Sequence, residues 1–306
     1  MRKFSLVLCA LFFVLSCDDG DIITVAFDFD DTYAACGELV FYKIKENPYE
    51  SLSLKITNPA TNLEALIEVD ENGELLSAQE QFVINGSSNQ FNFRSYNANP
   101  SNLFCNDIPP SNVQITEDLN STSGLATVMM SVLEDDNDGI PAELEDINEN
   151  GDLTDDDTDG DGLPNYIDVD DDGDNVLTSV EIDTDNADGD DNPLTNPKDT
   201  DGDGIPNHLD IDDDGDGVNS IDEENLSQDN NPANDFTDPA IADYLNPDVA
   251  STVPASAYRA HTIRQEFTVE LIVEDVSFPT INQDLFDFGS LEDSRLTSTR
   301  LVTPEF

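Results

Sequence analysis

The sequence is poor in positive charge, with 11 lysines and arginines against 68 aspartates and glutamates among its 306 residues. The formal net charge is -57. A field of that sign repels nucleic acids and anionic lipid head groups, so a nucleic-acid-binding function is excluded. We expect cations to be the natural partners of this chain.

Residue types used in catalysis are also scarce. The chain has 2 histidines and no tryptophan, and nothing in it resembles a Ser/His/Asp or Cys/His arrangement. His261 stands at the start of a predicted strand beside Arg259 and Arg264, where we expect it to be exposed. The chain is therefore predicted to be non-catalytic.

An apolar run at residues 4–15 follows Arg2 and Lys3 and is too short to span a membrane. It predicts a secretory signal peptide over residues 1–16. The sequence Val-Leu-Ser-Cys that ends at Cys17 resembles a bacterial lipobox. This resemblance implies an outer-membrane or cell-surface lipoprotein of the Bacteroidetes type, with lipid on Cys17 and an acidic tether over residues 17–23. An ordinary cleaved signal peptide is the alternative.

The chain has 4 cysteines, of which Cys9 leaves with the signal peptide and Cys17 would carry the lipid. Cys36 and Cys105 remain, an even number in an oxidising compartment. We predict that they pair in a structural disulfide. Two buried thiols are the alternative, because the spacing does not decide between the two.

Residues 24–133 have the pattern of a β-domain, with short apolar or alternating runs separated by Asn, Pro, Gly and Ser. No segment in this range shows a helical period over three turns. The pattern predicts a small antiparallel β-sandwich-like domain. Its candidate strands are residues 23–29, 38–44, 52–57, 81–84, 90–96 and 124–132.

A further strand is predicted late in the chain, at residues 262–276, where apolar and polar residues alternate. Residues 225–256, rich in Asn, Asp, Pro and Ser, are predicted to be an irregular linker before it. Residues 257–306 are too few for a core of their own. We therefore predict that they complete the 24–133 domain.

Between these parts lie residues 134–224, where acidic residues fall at alternate positions and each run ends in a Gly or Asn turn. Each twelve-residue unit places oxygens at positions 1, 3 and 5, a turn residue at 6, an aliphatic residue at 7 and a carboxylate at 12. This is the ligand order of a calcium loop. The loops, named below by their first residue, are residues 157–168, 170–181, 199–210 and 212–223, with weaker fits at residues 134–145 and 146–157.

Calcium chemistry accounts for this spacing. Ca2+ takes about six to eight oxygen ligands, and alternate side chains of a curled loop can converge on one point while residue 7 offers its carbonyl. Without the ion, neighbouring carboxylates repel one another by roughly 1 kcal/mol per pair even in water. The metal-free stretch is expected to be expanded and poorly ordered. A solvated acidic spacer that binds no specific ion is the alternative.

Proline stands at position 8 of three loops, as Pro141, Pro164 and Pro206, and the loops follow one another closely. In both respects residues 134–224 resemble the thrombospondin type 3 repeat. A paired EF-hand would need helices that these prolines interrupt, and a dockerin has only two such loops. The resemblance implies Ca2+ ligands at Asp136, Asp138, Asp157, Asp159, Asp161, Asp168, Asp170, Asp172, Asp174, Glu181, Asp199, Asp201, Asp203, Asp210, Asp212, Asp214, Asp216 and Glu223.

Two other features of the stretch are interpreted structurally. His208 occupies position 10 of loop 199, where loop 157 has Tyr166, and is expected to pack over the repeat surface. Residues 183–192 are rich in Asp but do not fit the loop pattern. They could bridge neighbouring ions, although a solvated linker is the simpler interpretation.

One motif favours an enzyme. Residues 25–32, Val-Ala-Phe-Asp-Phe-Asp-Asp-Thr, resemble the first motif of haloacid-dehalogenase-type phosphatases. The resemblance implies Asp28 as nucleophile and Asp30 as acid and base, with magnesium. That family needs a parallel sheet with crossover helices and a later lysine, whereas the sequence after Thr32 is Asn-rich and β-like. Phosphatase activity is therefore the remote alternative.

Taken together, these patterns predict a mainly β protein with irregular calcium-binding repeats inserted in a β-domain, where structural Ca2+ stiffens an acidic spacer. The alternative is a calcium-dependent adhesin or ligand-binding lipoprotein that recognises a surface glycan, a peptide or a partner protein. An aromatic cluster on the β-face would favour that alternative, but the chain has no tryptophan.

Overall fold

The computed structural model describes residues 29–37, 39–182, 189, 192–279 and 282–306. The predicted signal peptide, Cys17, the acidic tether and Asp28 lie outside the described residues, as do most of the candidate strand at 23–29 and most of residues 183–192. The chain divides into two compact units, Met1–Asp30 and Asp31–Phe306. The architecture that follows is that of the second unit.

Strands dominate the described part of the chain, so the expectation of a mainly β fold is confirmed. They are β1 (Thr32–Cys36), β2 (Val40–Glu46), β3 (Tyr49–Ile56), β4 (Gln79–Ile84), β5 (Asn89–Tyr96), β6 (Ile115–Asn120), β7 (Gly124–Asp135), β8 (His261–Ser277), β9 (Asn282–Leu291) and β10 (Thr297–Val302). Helices are short, namely α1 (Leu63–Leu66), α2 (Thr178–Glu181) and 3-10 turns at Ala142–Leu144, Leu153–Asp155, Asn165–Ile167, Asn207–Leu209, Ser220–Asp222, Pro232–Asn234, Asp243–Leu245 and Ser294–Leu296.

The ten strands form one sheet in the order β4-β7-β8-β9-β1-β2-β3-β5-β6, and β10 pairs with β8 beside this path. Among the described strands, every pairing is antiparallel except that between β9 and β1. The parallel step is short and joins Thr32 and Tyr33 to Ser290 and Leu291. The sheet is therefore mixed, whereas the sequence pattern predicted a purely antiparallel one.

The sheet folds over so that its two halves face each other. Phe91 on β5 is four pairing steps from β9, yet its ring centroid lies 5.3 Å from that of Phe286 and 5.8 Å from that of Phe288 on β9. Such distances are typical of aromatic rings packed in a core. The contacts place an apolar core between the halves and make the fold sandwich-like.

Strand β8 shows why this sequence builds that core. Ile263, Val269, Leu271 and Val273 are fully buried, and as far as Glu270 the residues between the buried positions are exposed and polar. Successive side chains of a strand point to opposite faces, so this alternation gives one apolar face and one wet face. The burial of each such aliphatic side chain stabilises the fold by about 1.5 to 3 kcal/mol.

Residues 136–260 leave the sheet and return to it at neighbouring points. β7 pairs with β8 along its whole length, from Leu125 opposite Glu274 to Asp135 opposite Arg264. The end of β7 and the start of β8 thus hold the two ends of residues 136–260 side by side.

A disulfide joins Cys36 at the end of β1 to Cys105 in the loop before β6, with 5.3 Å between the Cα atoms. The predicted pairing of these two cysteines is confirmed. Within the described residues, no helix combines the length and the apolar character needed to cross a membrane.

Candidate metal centre

The backbone of the acidic loops is curled by the aspartates themselves. In loop 157, the N–H groups of Gly160 and Gly162 donate to Asp157 at 2.9 and 3.2 Å, and the N–H of Asp161 donates to Asp159 at 2.9 Å. Loop 199 repeats these bonds with the same spacing. Both oxygens of Asp157 and of Asp199 thus accept an N–H, whereas the short turns at Asp159 and Asp201 use only one oxygen and leave the second available for another partner.

The predicted ligands at positions 1, 3 and 5 converge in three of the loops. One ligand oxygen from each member lies within 4.8 Å of the others in the sets Asp157–Asp159–Asp161, Asp170–Asp172–Asp174 and Asp199–Asp201–Asp203. The set in loop 170 is buried, that in loop 157 is half-buried and that in loop 199 is exposed. The structure thus brings together side chains that the sequence spacing grouped.

The glutamates at position 12 provide the clearest sign of a missing partner. Glu145, Glu181 and Glu223 are 4%, 1% and 1% exposed, and no hydrogen bond of normal geometry reaches either oxygen of any of them. A buried acceptor left without a partner costs about 1 to 3 kcal/mol, and more when it is charged. Native proteins avoid that cost, so these oxygens need a cation or a proton.

Further carboxylates in the stretch each have a buried oxygen without a partner. These are Asp136, Asp138, Asp156, Asp168, Asp170, Asp171, Asp172, Asp174, Asp212, Asp214 and Asp216, and both oxygens of Asp213 are unpartnered. The donor set consists of oxygen atoms, which suits a hard divalent cation such as Ca2+ or Mg2+ better than a soft metal. The residues present therefore fit a bound cation of that class.

Electrostatics in the metal-free protein lead to the same conclusion. Burial, followed by repulsion from neighbouring carboxylates, raises the pKa of Glu145 to about 8 and that of Glu223 to about 9. The same two causes raise the pKa of Asp172 and Glu181 well above the usual values. A cation among these groups would reverse the effect, because it stabilises the charged form.

Loops 134 and 146 depart from the pattern. The carboxylate of Glu134, at position 1, lies on β7 and forms a two-point ion pair with Arg300 of β10, with both N–O distances 2.7 Å. In loop 146, the amides of Asn148 and Asn150 donate to Asp155 at 3.2 Å, so their nitrogens bind a carboxylate within the loop. Glu134, at position 1 of loop 134, is therefore already paired with Arg300, and the two asparagines of loop 146 are already bonded to Asp155.

Two aspartates outside the predicted ligand set join the clusters. Asp171 groups with Asp136 and Glu145, and Asp213 groups with Asp174 and Glu181, again with ligand atoms within 4.8 Å. Both stand at position 2 of their loops, which the calcium-loop pattern does not assign. The sequence signal was the choice of Asp at position 2 in loops 170 and 212, where loops 157 and 199 have Thr.

The expectation that His261 is exposed was wrong. Its side chain is 2% exposed, and Nδ1 lies 2.8 Å from Oδ1 of Asp168, the position-12 residue of loop 157. Burial lowers the pKa of His261, but the hydrogen bond and charge of Asp168 outweigh burial and raise the pKa overall. His261 shares the buried face of β8 with Ile263 because the two are separated by one residue. His208 is buried in loop 199, and burial lowers its pKa to about 4.

Residues 253–259, just before β8, donate backbone N–H groups to the loops in hydrogen bonds. Val253 donates its N–H to the carbonyl of Asp222 at 2.7 Å, and Arg259 donates its N–H to Oδ1 of Asn175 at 2.9 Å. The predicted irregular linker has no long strand, but it packs along loops 170 and 212. This packing connects the loops directly to the start of β8.

A cavity of about 580 Å³ opens between the loops and the sheet. Asp136 and Asp138 line it from the loop side, and Arg259, Arg264 and Thr299 line it from the side of the sheet. It brings two of the few basic side chains of the chain close to two of the predicted ligands.

A family model described as BamM C-terminal matches residues 135–195, a minor part of the chain. The match begins at the end of β7 and covers loops 146, 157 and 170 and nearly all of loop 134. No curated protein and no solved structure matches the chain.

Proposed function

We propose that this chain is a calcium-binding, non-catalytic surface or outer-membrane lipoprotein, in which structural Ca2+ holds the acidic loops in one fold upon a β-domain. The ions would be held by the predicted ligands of loops 134, 157, 170, 199 and 212. Bound Ca2+ supplies the positive charge that lets many carboxylates share one interior.

The observation that carries this proposal is the set of buried glutamates at position 12. Glu181 is 1% exposed, and no hydrogen bond of normal geometry reaches either of its oxygens. Asp172 and Asp174 of the same loop are also buried. Water does not reach these buried carboxylates to stabilise their charge, whereas a bound cation would stabilise it.

The proposed location has two supports. The match to the BamM C-terminal family favours association with the bacterial outer membrane. The signal peptide and the lipid on Cys17, both predicted from sequence, would supply the anchor.

The test is a calcium titration of the chain from Asp18 to Phe306, stripped with chelator and followed by calorimetry and small-angle X-ray scattering. We expect several ions to bind and the chain to become more compact. Affinities should fall near 10⁻⁴ to 10⁻³ M, roughly the range of extracellular calcium modules. Absence of saturable binding would mean that the stretch is only an acidic spacer. The next experiment would then be a phosphatase assay that compares the wild type with Asp30→Asn.

A second candidate function, calcium-dependent ligand binding, is favoured by the 580 Å³ cavity. With a cation held by Asp136 and Asp138 and with Arg264 opposite them, the cavity would suit a small anionic ligand such as an acidic sugar. Metal-free, the same two aspartates would repel it.

Glucuronic acid, with glucose as the uncharged control, is a suitable probe for saturation-transfer NMR. Signal for glucuronic acid in calcium, its loss in chelator and its weakening in Arg264→Gln would support this function. Equal signal for both sugars, or none, would remove the support.

A further inference from the structure

We propose that Asp171 and Asp213 hold two additional divalent cations that join loops distant in sequence. One ion would link loop 134 to loop 170, and the other would link loop 170 to loop 212. The inference rests on the proposed function, since it assumes that the loops bind calcium, and it adds sites that the calcium-loop spacing does not contain.

The site between loops 170 and 212 consists of Asp174, Glu181 and Asp213. One ligand oxygen from each lies within 4.8 Å of the others. All three side chains are 1% exposed, and both oxygens of Glu181 and of Asp213 lack a hydrogen-bond partner of normal geometry. Three carboxylates at this distance and depth need a shared positive charge.

The site between loops 134 and 170 has the same design. Asp136, Glu145 and Asp171 place one ligand oxygen each within 4.8 Å of the others, and all three are buried. Both oxygens of Glu145 and one oxygen each of Asp136 and Asp171 are unpartnered. In both sites, a position-12 glutamate of one loop meets a position-2 aspartate of a later loop.

The residue at position 2 has a different role in the other loops. In loop 157, the N–H of Thr158 donates to Oδ1 of Asn165 at 3.0 Å, and the Asn165 amide donates to the Thr158 hydroxyl at 2.9 Å. Thr200 and Asn207 repeat this closed pair in loop 199. Position 2 in these loops is satisfied within its own loop.

In loops 170 and 212 only the backbone of position 2 is satisfied locally. The hydroxyls of Thr178 and Ser220, at position 9, accept from the N–H groups of Asp171 and Asp213 at 3.1 and 3.3 Å. The carboxylates are then free to reach across to the earlier loop. The change from Thr to Asp at this position turns a self-contained loop into one that can share an ion with another.

Sharing has a consequence for calcium binding. Glu145 and Glu181 also stand at position 12 of loops 134 and 170, and no hydrogen bond of normal geometry reaches either oxygen of either residue. One oxygen can serve the ion of its own loop and the other the linking ion. Filling one site orders a ligand of the next, so we infer that loops 134, 170 and 212 bind calcium cooperatively.

A shared proton is the competing explanation for the close pair formed by Glu181 and Asp213. A proton would satisfy the pair without any metal, and it would leave the number of bound ions unchanged when Asp213 is replaced. Counting ions therefore separates the two explanations.

The experiment is native mass spectrometry of the chain from Asp18 to Phe306 in calcium, comparing the wild type with Asp171→Thr and Asp213→Thr. Threonine is the residue that loops 157 and 199 carry at this position. Each variant should lose one bound ion, and the double variant two. Glu80→Gln removes one charge from an exposed position of β4, opposite Val128 of β7 and outside the loops, and it should keep the wild-type number.

An unchanged ion count in Asp213→Thr, with the wild type still binding several ions, would overturn the linking sites and leave the proposed function standing. A wild type that binds no calcium would defeat both. If the variants fail to fold, anomalous diffraction from wild-type crystals grown in calcium decides the question. A peak between Glu181 and Asp213 supports the inference, and an empty map there overturns it.

Discussion

The two parts of this protein have opposite interiors. In the strands of the sheet, the buried side chains are chiefly apolar, among them Phe41, Phe91 and Leu271. Within residues 136–260, the buried side chains are chiefly Asp, Glu and Asn, and the apolar cluster around Val176 and Tyr244 is small. The interior of the sheet is hydrophobic, whereas the interior of residues 136–260 contains many carboxylates.

This contrast shows what each part requires in order to fold. Apolar burial stabilises the sheet whatever ions are present. A carboxylate interior is unfavourable unless cations or protons neutralise it. The two parts nevertheless meet at the β7 and β8 pairing and through His261 beside Asp168. Ion binding in the loops should therefore stabilise the start of β8 most and its second half least.

Removal of calcium should produce the largest effect and separate the two parts. With excess chelator near pH 8, we expect amide hydrogens in residues 136–260 to exchange rapidly, while β3, β5 and the second half of β8 stay protected. Hydrogen exchange read by mass spectrometry measures this directly. Loss of protection throughout the chain would mean that both parts unfold as one unit.

Without metal, a rise in pH should lower the stability of the acidic loops, because the pKa values of their buried glutamates are raised in the folded state. The pKa of Glu145 is about 8 in the folded chain and that of Glu223 about 9, against an ordinary value of 4.5. The folded state thus binds more protons than the unfolded state. Its stability is fully present below about pH 4.5 and is lost as the pH rises through 8 to 9.

In chelator, the thermal midpoint of the acidic stretch should therefore rise as the pH falls from 9 to 5. In saturating calcium the trend should reverse, because protons compete with the ions for the same oxygens. Calorimetry across this range checks both trends. Parallel curves with and without calcium would contradict a carboxylate interior that is held by cations.

The sequence allowed the apolar part to be outlined, since the candidate strands overlap β2, β3, β4, β5, β7 and β8. It did not reveal β6, β9 and β10. Asp and Asn, which are depleted in strands, interrupt β6 and β9, and β10 has only two apolar residues, Leu301 and Val302. Nor could it predict the parallel pairing of β9 with β1, because no local pattern records which distant strands become neighbours. β1 was not predicted, because the first candidate strand was placed at residues 23–29, before its start at Thr32.

The candidate site could be predicted within single loops but not between them. Positions 1, 3 and 5 converge because loop geometry is local. Asp171 and Asp213 acquire their role only when Glu145 and Glu181 from earlier loops arrive beside them, which depends on the fold. His261 is different, because the alternation of β8 already placed it on the face of Ile263, and that signal was overlooked.

Within the sheet, Leu271→Ala should test whether the apolar interior is independent of the ions. Leu271 is fully buried on β8, so its truncation should lower the free energy of unfolding of the sheet by about 2 to 5 kcal/mol. The loss should be the same in calcium and in chelator by denaturant unfolding. Leu133→Ala on β7, 65% exposed, should change the free energy by less than about 0.5 kcal/mol.

The smallest expected effect concerns the packing of one acidic loop on its neighbour. Gly215 and Gly217 both have positive φ angles, +67° and +94°, so alanine at either site introduces backbone strain of about 1 kcal/mol. A Cβ on Gly215 would also collide with the carboxylate of Asp201 in loop 199, whereas a Cβ on Gly217 would meet no atom within 4 Å.

Gly215→Ala should therefore displace a predicted ligand, and Gly217→Ala should not. An overpacking cost of about 1 kcal/mol corresponds to roughly fivefold weaker calcium binding at the affected site. Calorimetric titration of both variants isolates this difference, because both carry backbone strain and the strain is no smaller at Gly217, whose φ lies outside the allowed left-handed region. Equal affinities would show that Asp201 of loop 199 does not pack against Gly215 of loop 212 in the calcium-bound protein.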